Sequence, residues 1–134
     1  MRFDIRASFF WAATLLLAVS AAPVPAAAVA LDGSWSGSGY IKPASGHRER
    51  IRCRVTFDRQ SSKVFGVRAT CASSSNSIRQ TGEVLMIRPN YYAGDFYNRQ
   101  YDMSGRIRVR VTGSTQTVTF SGESGRGKLR LHKQ

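Results

Sequence analysis

The stretch from Arg50 to Ser73 constrains the fold most, because two alternating segments within it contain the only two cysteines of the chain. Apolar and polar side chains alternate on both sides of a polar break at residues 58–62, which is the period of a strand with one buried face. With a turn centred near Ser62, the expected cross-strand pairs are Phe57 with Val67, Val55 with Ala69, and Cys53 with Cys71. Opposed residues of this kind lie about 4.5–5.5 Å apart at Cα, a distance that a disulfide can bridge. The stretch therefore predicts a hairpin with a Cys53–Cys71 disulfide on its inward face.

Residues 1–30 have the composition of a signal peptide. Arg2 and Arg6 precede the apolar run from Phe9 to Val19, and a string of small residues ends at Ala30, where cleavage is expected. The alternative is a retained membrane anchor, since about 20 apolar residues can span a bilayer; the prolines at 23 and 25 favour cleavage. No cysteine lies at this site, so we do not expect a lipid anchor. A periplasmic or secreted protein with paired cysteines is expected to be oxidised.

Residues 31–134 are expected to form a single all-β domain. Seven or eight short strands are predicted, with turns every 8–12 residues and no helical periodicity. Outside the hairpin, the predicted strands cover residues 31–41, 83–88, 91–101, 105–112, 117–121 and 128–132. Glycines within the first strand indicate the bending that a barrel requires. Consecutive hairpins favour an antiparallel up-and-down barrel, because closure removes exposed edges; a β-sandwich is the alternative.

The start of the first strand carries a short motif, Gly33-Ser34-Trp35. It resembles the G-x-W signature of calycin-type barrels, which include lipocalins, fatty-acid-binding proteins, avidins and small bacterial metalloprotease inhibitors. This resemblance implies that Trp35 closes one end of the barrel beneath a basic side chain of the last strand, for which Arg130 is the matching candidate. The cysteine spacing within the hairpin is also similar to that of small exported alphaproteobacterial proteins. We expect neither the helix that follows the barrel in lipocalins nor the N-terminal arm of the protease inhibitors, since only Leu31 and Asp32 lie between the expected cleavage site and Gly33.

Two strands each carry a row of arginines at alternate positions. These residues are Arg50, Arg52 and Arg54 in the hairpin and Arg106, Arg108 and Arg110 in a later strand. Together with a net charge of +12, they point to an anionic partner, because guanidinium groups bind phosphate and carboxylate through a planar fork. Lipid phosphate, lipopolysaccharide or an acidic polymer of the cell envelope would provide such anions. The alternative is a solvated strand face, and export makes nucleic acid an unexpected partner.

Alternation alone leaves open which face of each strand points inward. An outer-membrane barrel with arginines in its lumen is therefore an alternative, although membrane strands need roughly 9–11 residues and an outward apolar band. The apolar runs of this chain are shorter, and its cysteines would then face lipid.

Aromatic residues cluster between positions 91 and 101, and aromatic faces bind sugars, bases and apolar chains. The candidates for ligand contact are Tyr91, Tyr92, Phe96, Tyr97 and Tyr101. Packing within the barrel is the alternative interpretation.

The sequence offers no catalytic or metal-binding pattern. His47 and His132 are isolated, and their spacing suggests neither a metal site nor a catalytic triad. The segment from Gly122 to Lys128 matches the start of a phosphate-binding loop, but Leu129 stands where Ser or Thr would hold Mg²⁺, so a hairpin turn is predicted. We therefore expect a non-catalytic exported binding protein without a cofactor, which contacts an anionic or amphipathic envelope component. An inhibitor or partner of a secreted protease or lytic enzyme is the alternative.

Overall fold

The computed structural model describes residues 15–22, 30–99 and 102–134, and those that follow residue 30 form a closed antiparallel barrel. Its eight strands are β1 Gly33–Pro43, β2 Glu49–Arg59, β3 Val64–Ala72, β4 Ser77–Arg88, β5 Tyr91–Asn98, β6 Met103–Thr112, β7 Thr115–Gly122 and β8 Gly125–Lys133. Each strand pairs with the next, and β8 pairs with β1 to close the sheet. The up-and-down barrel predicted from the sequence is confirmed, and the sandwich alternative is wrong.

The hairpin of β2 and β3 has the predicted register. Cys53 lies opposite Cys71, with their Cα atoms 4.1 Å apart, and the two residues form a disulfide. Phe57 pairs with Val67, and Val55 pairs with Ala69, as the alternation predicted. A disulfide of this kind is typical of a non-reducing, extracellular-type environment.

The apolar side of every strand points into the barrel. The buried core includes Trp35, Phe57, Phe65, Val109 and Leu131, all at most 1% exposed, whereas the arginines at alternate positions of β2 and β6 are exposed. A membrane-spanning barrel needs the reverse arrangement, with an apolar band outside. The outward arginines therefore contradict the outer-membrane alternative.

The seam between β1 and β8 depends on two glycines of the first strand. A Cβ atom at Gly37 would lie 2.0 Å from the carbonyl oxygen of Arg130, and one at Gly39 would lie 1.8 Å from that of Lys128. Only glycine allows the two backbones to approach so closely.

The strands are strongly staggered around the barrel. When the pairing register is followed from Trp35 through all eight strands, it returns to β1 about 10 residues further along the chain. A stagger of this size requires the strands to tilt relative to the barrel axis.

The fourth strand is longer than predicted. It begins at Ser77 and not at Glu83, and residues 73–76 alone form the connection from β3. Its first inward positions are Ile78, Gln80 and Gly82, of which only one is apolar, so the sequence showed no alternation there.

Residues 15–22 lack regular secondary structure, and their leucines are exposed. The rest of the predicted signal peptide, at residues 1–14 and 23–29, lies outside the described residues. Within the part of the chain that the structure describes, no helix has the length and apolar character needed to cross a bilayer.

Candidate functional site

The interior of the barrel contains a cavity of about 350 Å³ that opens at one end. The open end is formed by the end of β1, the start of β2, and the connections after β3 and β7. The opposite end is filled by the large buried side chains of Trp35, Phe57 and Phe65. The cavity is therefore closed at one end and open at the other, and we call its open end the mouth.

Glycines occupy most positions of one inward register row near the mouth of the cavity. One register row of inward positions runs through Gly82, Phe96, Gly105, Gly122 and Gly125 on five successive strands. A Cβ atom at Gly105 would lie 2.7 Å from the ring of Phe96, so the ring covers this glycine. Phe96 is therefore the one large side chain in this row, and the glycines let neighbouring backbone approach closely.

The wall of the cavity is mainly apolar, and its charged groups lie at the mouth. Its apolar lining includes Ile51, Val55, Ala69, Ile78, Phe96, Ile107, Val118, Phe120 and Leu129. The charged lining residues are Lys42, Glu49 and Arg126, at the ends of the strands that border the opening. Such a site suits an apolar or amphipathic molecule with its polar group at the mouth.

The predicted aromatic cluster does not form one surface, because alternate residues of β5 point to opposite faces of the sheet. Phe96 lines the cavity and packs edge-on against Phe120, with ring centroids 6.3 Å apart. Tyr92 is buried against Phe65 toward the closed end, and this burial raises the pKa of its phenol.

Two further tyrosines of the cluster face outward. Tyr91 lies beneath the guanidinium groups of Arg88 and Arg110, at 4.4 and 5.6 Å from its ring centroid. Tyr97 is exposed and donates a hydrogen bond to Asp102, which raises the pKa of Tyr97. Tyr101 lies outside the described residues. Among the candidates within the described residues, Phe96 alone lines the cavity.

The outer surface carries a third row of cations that the sequence interpretation did not include. Arg126, Lys128 and Arg130 of β8 face outward and are exposed, midway between the arginine rows of β2 and β6. We call the three rows the cationic belt: Arg50, Arg52 and Arg54 on β2, Arg126, Lys128 and Arg130 on β8, and Arg106, Arg108 and Arg110 on β6.

The strands between these rows carry hydroxyl groups. In one register row, Arg110, Thr117, Arg130, Ser38 and Arg52 follow one another across β6, β7, β8, β1 and β2. The adjacent row contains Arg108, Thr119, Lys128, Tyr40 and Arg50. Neither row contains a carboxylate. Cations on alternate strands lie about 9–10 Å apart along the sheet, so the belt presents regularly spaced positive charges.

Few of these charges are neutralised within the protein. Of the ion pairs formed between described residues, one involves the belt, that of Arg106 with Asp95 at 3.7 Å. The side of the barrel formed by β4 and β5 is different, because Glu83 lies opposite Asp95 there and Leu85 and Ile87 are exposed. The outer surface is therefore electrostatically asymmetric.

The closed end is organised around Trp35, but its cationic partner is not the predicted one. Trp35 is fully buried, its Nε1 donates a hydrogen bond to the carbonyl oxygen of Leu31 at 2.8 Å, and Lys133 Nζ lies 5.1 Å from its ring centroid. Lys133 also donates to the carbonyl oxygens of Ala30 and Asp32. Arg130 cannot take this place, because the register pairs Trp35 with Lys133 and turns Arg130 to the outer face opposite Ser38.

Both histidines lie outside the cavity, and His132 borders the cationic belt. His47 is exposed in the connection after β1, and His132 is exposed on the outside of β8. Among the described residues, no three His, Cys, Asp or Glu side chains come together in a way that could hold a metal ion. The phosphate-loop-like segment from Gly122 to Lys128 forms the β7–β8 hairpin.

Comparison with known proteins identifies the fold and no family. No protein-family model matches the chain, and curated proteins show no match either. A de novo designed fluorescence-activating β-barrel has a TM-score of 0.59 at 14% identity, over 77% of this chain and 93% of that chain. The redesigned barrel mFAP1 bound to DFHBI has a TM-score of 0.64 at 11% identity, with 78% and 94% covered. The barrel EF1p2_mFAP2b bound to DFHBI has a TM-score of 0.62 at 13% identity, with the same coverage. At these identities the similarity concerns the eight-strand architecture alone, which is also as far as the predicted resemblance to calycin-type barrels is confirmed.

Proposed function

We propose that this chain is a non-catalytic, periplasmic or secreted binding protein that contacts an anionic or amphipathic envelope component through its cationic belt. The observation that carries the proposal is the belt itself, which has exposed cations on three alternate strands. The two register rows that cross all three strands, from Arg110 to Arg52 and from Arg108 to Arg50, contain no carboxylate. Exposed guanidinium groups in a fixed array bind phosphate, sulfate or carboxylate groups. The disulfide and the signal-like N-terminal segment support export.

Removing the middle row of the belt should weaken binding to anionic surfaces. We expect the triple variant Arg126→Gln/Lys128→Gln/Arg130→Gln to bind phosphatidylglycerol vesicles and dextran sulfate about tenfold less tightly, because each exposed charge contact is worth a few tenths to 1 kcal/mol. Affinity of the unaltered protein should also fall steeply with added salt, as expected where cations displace counterions. Vesicle co-sedimentation and titration calorimetry at a series of salt concentrations measure both effects.

A variant with the same net charge provides the control. Lys63→Gln/Arg79→Gln/Arg99→Gln removes three exposed cations outside the belt, and its affinity should change less than twofold. If both triple variants bind equally, net charge and not the belt determines binding. If affinity does not depend on salt, the proposed anionic contact is wrong.

The cavity favours a second function, which is binding of an apolar or amphipathic small molecule inside the barrel. Its volume of about 350 Å³ and its apolar wall match the lower range of ligand pockets. Two barrels of the same fold have been solved with DFHBI bound, which supports the proposal that a barrel of this architecture can bind a ligand.

Filling the cavity should abolish this binding. Ala69 lines the cavity and Ala72, on the same strand, is exposed on the outside. We expect Ala69→Phe to lower the affinity for an environment-sensitive apolar dye at least tenfold, whereas Ala72→Phe should leave it unchanged. Dye fluorescence titration measures this, and far-UV circular dichroism checks that Ala69→Phe still folds despite an overpacking cost of about 1–3 kcal/mol. Equal dye binding by both variants would place the dye outside the barrel.

A further inference from the structure

The arginine rows of β2 and β6 project from opposite sides of the molecule. In the closed barrel, β7, β8 and β1 lie between them on one side, and β3, β4 and β5 lie between them on the other. The β8 row stands midway on the first side. The cationic belt therefore curves around half of a convex surface.

A flat anionic surface cannot contact this whole belt at once. When the β8 row touches a bilayer, the rows of β2 and β6 point sideways, parallel to the membrane. Exposed charges separated from a surface by more than a Debye length, about 8 Å at physiological ionic strength, are largely screened from it. A bilayer would thus use one row well and the others poorly.

A flexible polyanion can follow the curvature. The two complete register rows form continuous paths across five strands, with hydroxyl-bearing or tyrosine positions between successive cations and no carboxylate to repel the ligand. Along either path the backbone distance from β6 to β2 is about 20 Å. Hydroxyl groups of Thr117 and Ser38 lie between the cations, where they can hydrogen-bond to polar ligand groups.

The chemistry of these paths suits a polysaccharide better than a nucleic acid. Proteins that bind single strands stack bases on aromatic side chains, and Tyr40 is the one aromatic residue in the two rows. The guanidinium group of Arg48 already covers its ring, at 3.6 Å from the centroid. Bases would therefore find no free stacking platform along the belt.

We propose that the cationic belt binds a flexible acidic polysaccharide that winds part-way around the barrel, so that one polymer chain contacts the β2, β8 and β6 rows together. This inference rests on the proposed function and names its partner class. In such a complex the β2 and β6 rows act together through the bound polymer, although they lie on opposite sides of the protein.

The test removes charges from each outer row separately and jointly. The variants are Arg50→Gln/Arg52→Gln on β2, Arg108→Gln/Arg110→Gln on β6, and their combination. For long dextran sulfate or alginate we expect each double variant to lower the affinity about tenfold and the combined variant about a hundredfold. The slope of log affinity against log salt concentration should become shallower by about one for each cation removed. For short oligomers of the same polymers, which cannot reach from one row to the other, loss of one pair should lower the number bound and leave the remaining affinity unchanged.

The double variant Arg79→Gln/Arg99→Gln serves as the charge-matched control for each pair, and its affinity for long polymers should change less than twofold. Circular dichroism should show all variants folded, since exposed substitutions seldom change stability by more than about 0.5 kcal/mol.

Three outcomes would overturn the inference while the proposed function stands. One is that long and short polymers bind equally tightly and respond alike to the variants. Another is that phosphatidylglycerol vesicles bind more tightly than the long polymer and are insensitive to loss of the β2 or β6 row. The third is that single-stranded DNA of matched length binds as tightly as alginate, which would make nucleic acid the partner class. Salt-independent binding of every anion would instead refute the proposed function itself.

Discussion

Replacing Trp35 with alanine is expected to cost about 3–5 kcal/mol of folding free energy, the largest single effect we predict for this protein. The indole is fully buried at the closed end of the barrel, so its removal leaves a cavity that the surrounding strands cannot easily fill. The carbonyl oxygen of Leu31 also loses its hydrogen-bond donor. For a domain of this size, the loss corresponds to a fall in Tm of roughly 15–30 °C.

Two further substitutions separate the contributions to this effect. Trp35→Phe keeps much of the buried area but removes the N–H group, so it should cost less than half as much as Trp35→Ala. Lys133→Met keeps the aliphatic stem over the ring and removes both the cation and the hydrogen bonds to Ala30 and Asp32.

Thermal unfolding followed by far-UV circular dichroism measures all three variants. The packing argument requires Trp35→Ala to be the least stable of the three. A cost below 1 kcal/mol for Trp35→Ala would mean that the closed end does not depend on this side chain. Because native domains are stable by only about 5–15 kcal/mol, Trp35→Phe provides a usable measurement even if Trp35→Ala fails to fold.

The sequence predicted the central hairpin well, because every signal there agrees. Ile51, Val55 and Phe57 alternate strictly with polar residues, and the cysteines fix the register across the turn. The first half of β4 gave no such signal, since Gln80 and Gly82 occupy inward positions that apolar residues usually fill. Where the interior is a cavity instead of a packed core, the pattern that identifies strands weakens.

The position of the cavity could not be predicted for a related reason. Inward glycines on β4, β6 and β7 are visible in the sequence, but only the register places Gly82, Gly105 and Gly122 in one row at the same end of the barrel. Strand pairing thus determines where along the barrel scattered small residues come together.

The sequence predicted two of the arginine rows individually, but it did not predict how the cationic rows are arranged around the barrel. Alternation identified the arginines of β2 and β6, but the closure of β8 onto β1 places a third row between them. The pairing of β8 with β1 also shows that Arg130 is not the basic residue next to Trp35. Arg130 and Lys133 lie on opposite faces of β8, so that Arg130 faces outward in the belt and Lys133 lies over Trp35. A motif-based expectation identified a basic residue of the last strand, and only the pairing register identified which one.

Reducing the Cys53–Cys71 disulfide is expected to lower the free energy of unfolding by roughly 3 kcal/mol. The bond closes a loop with a sequence separation of 18 residues, and in the chain-entropy model it acts mainly by restricting the unfolded chain. The two residues face each other across neighbouring strands inside the barrel, with Cys53 buried. The reduced protein should therefore keep the same barrel while being less stable.

Urea unfolding with and without dithiothreitol measures the effect, because the reduced protein keeps both sulfur atoms and loses only the covalent bond. The double variant Cys53→Ala/Cys71→Ala is the matched control: it should be no more stable than the reduced protein and should not respond to dithiothreitol. If reduction leaves the unfolding free energy unchanged, the bond is dispensable for stability. If reduction instead collapses the near-ultraviolet circular dichroism in the absence of urea, the disulfide is required to form the barrel, and the protein could then fold only where its cysteines are oxidised.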